Sequence, residues 1–115
     1  MAALTDIKCV PCQGGEPILT QEEIKKYLKE VQSDWKAEHP PAGGPDKIAR
    51  EFEFKDFMGA VDFVNKVAKL AEDEGHHPNI YLHDYKKLRV ELWTHKIGGL
   101  HQNDFIMAAK IDKLT

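Results

Sequence analysis

The sequence predicts an α+β domain, a two-layer sandwich in which a four-stranded antiparallel sheet carries three helices on one face. Three observations lead there. Apolar residues at helical spacing alternate with short runs of alternating polarity, in the order helix, strand, strand, helix, strand, strand, helix. Glycine and proline clusters punctuate the boundaries between these segments. A chain of 115 residues with 42% hydrophobic content supplies one modest core, so a second domain is not expected.

Residues 1–19 read as an N-terminal arm, and 20–115 as the single domain. Pro11, Gly14, Gly15 and Pro17 interrupt regular structure in the arm. By spacing alone Cys9 and Cys12 are half a zinc site, a redox pair or two loop cysteines. No neighbouring ligands, and no preceding strand with a following helix, favour the first two, so a surface arm is expected.

Order begins at Thr20, where Thr20-Gln21-Glu22-Glu23 has the capping-box pattern. The first helix is expected to run to about Ser33, burying Ile24, Tyr27, Leu28 and Val31. A short strand, Trp35 to Glu38, follows. The proline- and glycine-rich run from Pro40 to Pro45 is a loop, and Lys47 to Phe54 alternates as a strand covered on one side, with Arg50 anomalous on its apolar face. The longest helix is expected from Asp56 to Glu74, with Phe57, Ala60, Val61, Val64, Val67, Ala68 and Ala71 as its apolar stripe. Gly75 suits a left-handed cap and Pro78 forbids continuation, so His76 and His77 leave the helix in a fixed, extended exit. Ile80 to His83 and Leu88 to Thr94 form an antiparallel pair with Leu88, Val90 and Leu92 buried, and Arg89 and Trp93 on the other face. After the Gly98-Gly99 turn, His101 to Lys113 makes the last helix.

Charge narrows the function classes. Sixteen basic residues against 19 acidic ones give a net of −3 without a basic block, which argues against a nucleic-acid ligand. No apolar run approaches the ~20 residues needed to span a bilayer, and no secretory signal pattern opens the chain, so a cytoplasmic setting is expected. An open sheet face and unpaired edges favour self-association, as a homodimer or homotetramer.

The chemistry lies in histidine. His76, His77 and His95, with Asp104 opening the last helix, are placed to converge, and imidazole both gives and takes a proton near neutrality. The same three imidazoles are also conceivable as metal ligands. Glu72 reads either as a solvated helix residue or as a partner for His76 one turn on, and Asp104 either as a first-turn acid favourable to the helix dipole or as a site carboxylate.

Glu72, His76-His77-Pro78, Tyr85, Thr94-His95, Gly98-Gly99-Leu100 and Asp104 fall at spacings that resemble the pterin-4a-carbinolamine dehydratases. The resemblance covers roughly Trp35 to the C-terminus, and the Cys9–Pro17 arm looks like the N-terminal extension of some microbial members. It implies removal of water from a 4a-hydroxytetrahydropterin released by an aromatic amino-acid hydroxylase, returning quinonoid dihydropterin in tetrahydrobiopterin recycling, with no metal or cofactor. His76 and His95 then resemble the proton-transfer residues and His77 the one that chiefly holds the pterin. Gly75, Pro78, Trp93, Thr94 and Lys96 fall among the substrate-binding positions, and Asp104 and Glu72 support the imidazoles. Two other readings follow from the family: a dimerisation cofactor that stabilises a homeodomain transcription factor, and a pterin-binding relative in molybdenum-cofactor metabolism. The chain departs from the pattern at His101, where a Ser or Thr cap is expected, at Gly75 in place of a polar residue, and at the bulky Trp93.

Overall fold

The computed structural model describes residues 3–11 and 13–115, so Cys12 lies outside the described residues. The first helix, α1 (Gln21–Leu28), opens on Thr20, whose hydroxyl accepts from Glu23 N at 3.2 Å while the Glu23 carboxylate accepts from Thr20 N at 2.9 Å. It ends earlier than expected. Lys29 and Glu30 close tighter i→i+3 bonds, and the Asp112 carboxylate then takes Gln32 N at 3.0 Å and Trp35 Nε1 at 2.8 Å, drawing the chain off the helix axis.

Strands β1 (Lys36–Glu38) and β2 (Lys47–Glu53) pair antiparallel, helix α2 spans Phe57–Glu74, strands β3 (Asn79–His83) and β4 (Lys87–Leu92) form a second pair, and helix α3 (Gln102–Asp112) closes the fold. The four strands lie in the order β1-β2-β4-β3, all antiparallel. This is the expected α+β architecture. The face carrying Ile48, Phe52, Leu88, Val90 and Leu92 meets the helices, and Phe105, Ile106, Met107 and Ile111 of α3 are fully buried against it. The opposite face is polar. There Glu91 is buried beneath Arg89 (2.8 Å) and Lys47 (3.3 Å), and Arg89 also reaches Glu38. Burial opposes charge on Glu91, but the bonds from Arg89 and Lys47 outweigh it and hold the carboxyl below its ordinary value.

Two expectations about burial are corrected. The inward stripe of α2 is Ala60, Phe63, Val67 and Ala71, whereas Phe57 is half exposed and Ala68 faces solvent. Phe63 wins that position because Phe52 and Phe54 of the sheet present rings at 4.9 and 5.1 Å. The arm, expected on the surface, is exposed over most of the described residues from 10 to 18 but is anchored in the molecule at Leu4 and Cys9. Leu4 and Cys9 belong to the core, Lys8 Nζ donates to Asp73 O at 2.9 Å, and Leu19 N donates to Leu100 O at 2.9 Å.

Gly75 ends α2 in the left-handed conformation, φ 67° and ψ 28°, with its N–H on Ala71 O at 2.9 Å. Nothing lies within 4 Å of where a Cβ would stand, so any penalty for a side chain there comes from the backbone alone. Gly75→Ala should therefore cost about 1–2 kcal/mol of stability, and Gly75→Asn less, in denaturant titrations.

Candidate active site

Three local devices build the site. The Gly75 cap turns the chain out of α2, Thr94 and Gly99 form an isolated bridge that closes the loop after β4, and the first turn of α3 lies beneath both. His76 leaves the cap toward α3, where its Nε2 meets Asp104 Oδ1 at 2.6 Å. Asp104 is completely buried, and its second oxygen accepts from Thr94 Oγ1 and from His101 N, each at 3.0 Å. With Asp104 as a carboxylate accepting all three bonds, His76 donates through Nε2. Nδ1 is then the nitrogen available to a ligand.

His77 leaves the cap in another direction and pairs through Nε2 with Glu72 Oε2 at 2.6 Å, both side chains mostly in water. Glu72 thus serves His77 rather than His76, because the left-handed turn sends His76 across to α3. On the facing loop, His95 stacks on Trp93 with ring centroids 4.3 Å apart and 22° between planes, while Lys47 Nζ sits 5.6 Å from the centre of the Trp93 ring. Trp93 both supports an imidazole and covers the edge of the polar sheet face.

A cleft of about 350 Å³ lies between these groups. Gly75, His76 and His77 line one side, and Trp93, Thr94, His95 and Lys96 another. Pro78 and Glu72 are outside the lining, and Asp104 lies beneath it. Val10, Pro11 and Asn103 complete the walls, and none of these was expected from the sequence. Asn103 holds the arm, its Oδ1 accepting from Val10 N at 3.0 Å and its Nδ2 donating to Val10 O at 2.7 Å.

His101, standing where a Ser or Thr cap is expected, caps α3 itself. His101 Nδ1 accepts from Asn103 N at 3.0 Å, and Asp104 returns the bond to His101 N, so an imidazole fills the role of the missing hydroxyl. Nearby, Glu74 accepts from Cys9 N at 2.9 Å and pairs with Lys110 at 3.0 Å. Burial works against the Glu74 charge, yet the Cys9 N–H and Lys110 hold its carboxyl below the ordinary value. Burial first, and the Glu74 carboxylate second, push the Cys9 thiol up to about 12, which leaves it protonated and inert at neutral pH. Among the described residues, no group of three or more His, Cys, Asp or Glu is arranged to hold a metal ion, and no helix is long and apolar enough to cross a membrane.

The family model for pterin 4 alpha carbinolamine dehydratase matches residues 17–114. A Methylococcus capsulatus protein named "Putative pterin-4-alpha-carbinolamine dehydratase" is 50% identical over 113 residues, covering 98% of this chain and 94% of that one. A Rickettsia canadensis protein of the same name is 44% identical over 112 residues, 97% of each chain. The crystal structure of a transcriptional coactivator/pterin dehydratase from Brucella melitensis superposes with a TM-score of 0.74 at 31% identity, covering 85% of this chain and 98% of that one. The chain belongs to the pterin-4a-carbinolamine dehydratase family.

Proposed function

We propose that this protein dehydrates a 4a-hydroxytetrahydropterin to the quinonoid dihydropterin by imidazole acid–base catalysis, serving tetrahydrobiopterin recycling downstream of an aromatic amino-acid hydroxylase in the cytoplasm. The observation that carries the reading is the shared cleft: His76, His77 and His95 line it together, with His76 anchored on the buried Asp104. The reaction asks little else. A hydroxyl on a carbon flanked by ring nitrogen departs with help from the nitrogen lone pair, so the protein protonates the leaving oxygen and removes one ring-nitrogen proton, releasing water. His76 and His95, carried on different walls, are assigned those two transfers. His77, tethered by Glu72, holds the ring, as Thr94 and Lys96 do from the loop after β4, and Trp93 supplies an aromatic surface. Self-association belongs to the same proposal, supported by the apolar Phe57, Val61 and Ala68 that α2 leaves outside the core.

The test is a stopped-flow assay in which phenylalanine hydroxylase generates the carbinolamine and its ultraviolet decay is followed with and without this protein. Acceleration at micromolar protein is expected. Unchanged decay would overturn the assignment.

A second reading, a dimerisation module for a transcription factor, draws support from Phe57 and Met58, which are 50% and 63% exposed at the start of α2. It needs no histidine. Alanine at His76 or His95 separates the two, because a binding module keeps its assembly while a dehydratase loses turnover.

A further inference from the structure

Residues 9–11 lie outside the span matched by the family model, yet two of them line the cleft. The segment is pinned on each side. Upstream, Leu4 is in the core and Cys9 is buried, with Cys9 N on Glu74 and its thiol on Asn103 O at 3.6 Å. At the cleft itself, the Asn103 amide grips both backbone groups of Val10, a reciprocal pair like one rung of a sheet. Further along, a Cβ on Gly14 would come within 3.9 Å of Lys96 O, so the chain crosses from the α3 side of the cleft to the loop carrying His95. Asn103 is 2% exposed, whereas the Val10 side chain it positions is 57% exposed at the mouth. Pro11 beside it has no N–H to offer. The arm therefore holds a donor-poor apolar edge over a cleft whose other walls include imidazole, indole and ammonium groups.

We infer that Val10 and Pro11 form a binding wall for the pterin ring system, with Asn103 as the positioning residue that fixes it, so that the arm sets substrate affinity while the histidines set turnover. This rests on the dehydratase reading for its substrate class. The wall adds apolar contact to a flat ligand whose polar edge faces the histidines, and it does so without supplying a proton.

The test is Val10→Ala/Pro11→Ala, in which the Val10 backbone groups that Asn103 grips remain. Carbinolamine kinetics give KM and kcat, and quenching of tryptophan fluorescence by 7,8-dihydrobiopterin, which does not react, gives Kd. Loss of these side-chain carbons should raise KM and Kd about three- to tenfold while kcat stays within about twofold. Mapping of thiol labelling at Cys9 reports whether the arm remains docked. Unchanged KM and Kd with Cys9 still protected would overturn the inference. If the double variant exposes Cys9, the single Val10→Ala is read in its place, and unchanged constants there overturn it equally. The outcomes separate from those of the parent reading. Wild-type protein that binds the dihydropterin without accelerating carbinolamine decay sinks the dehydratase assignment and leaves the wall to be decided by Kd, and protein that does neither sinks both.

Discussion

Replacing His76 by alanine lowers kcat for carbinolamine dehydration by about a hundred- to ten-thousand-fold, the usual worth of a placed acid or base. Its ring is fixed at two levels. The backbone is turned by the left-handed Gly75, and Nε2 is held 2.6 Å from the fully buried Asp104 side chain, so the ring is presented in one orientation. His95→Ala should fall within the same range. Its ring is held by stacking on Trp93 and has no carboxylate behind it, so the two residues offer differently supported imidazoles to the same cleft. Steady-state kinetics with enzymatically generated carbinolamine check this. A kcat within about threefold of wild type for both variants would remove histidine catalysis from the account.

Asp104 decides whether the loss reflects a missing proton carrier or a collapsed site. In His76→Ala the carboxylate keeps Thr94 Oγ1 and His101 N, so the first turn of α3 stays capped and the fold is expected to survive. A native circular-dichroism spectrum therefore accompanies the kinetic loss, with a melting temperature lowered by several degrees because buried Asp104 Oδ1 loses its donor. An unfolded His76→Ala would show instead that the imidazole is a structural ligand of Asp104.

What the sequence made legible were features governed by neighbours in the chain. Gly75 followed by His76-His77-Pro78 announces both the end of α2 and the aim of its exit, because a left-handed glycine and a proline leave few other paths. Thr20 with Glu23 marked a helix start for the same reason. Phe57 and Phe63 both satisfy helical spacing, and only the rings of Phe52 and Phe54 across the interface select Phe63. The arm was less legible still. Val10 meets Asn103 across 93 residues, and no periodicity around Cys9 announces its burial. The His101 cap was not legible because hydroxyl, amide and carboxylate caps dominate helix starts, although a neutral imidazole nitrogen accepts a backbone N–H equally well. Glu72 was assigned to His76 from helical spacing, which no longer applies once the chain has passed a left-handed residue.

Arg50 was the one anomaly on the apolar strand face, and the structure turns it into the second large prediction: Asp112→Ala destabilises the protein by about 3–5 kcal/mol. The Asp112 side chain is 9% exposed and that of Arg50 13%, and the carboxylate takes Arg50 Nη1 at 2.5 Å, Trp35 Nε1 at 2.8 Å and Gln32 N at 3.0 Å. One side chain at the end of α3 thereby joins the exit of α1, the approach to β1 and the middle of β2. Without it the guanidinium keeps only Asp34 at 3.4 Å, a residue 67% exposed, and the face of Phe52 at 4.3 Å. A nearly buried cation with one solvated partner bears most of the loss, since its Nε already lacks a hydrogen-bond partner among the described residues. Guanidinium titration should show a midpoint shift at unchanged m-value, with a melting temperature lower by well over about 10 °C for a domain of this size. The double variant Arg50→Met/Asp112→Leu separates pairing from burial. If the cost is that of an orphaned charge, removing both partners should recover much of the stability lost by Asp112→Ala, whereas a double variant as unstable as the sum of its single changes would assign the cost to Trp35 and Gln32 instead.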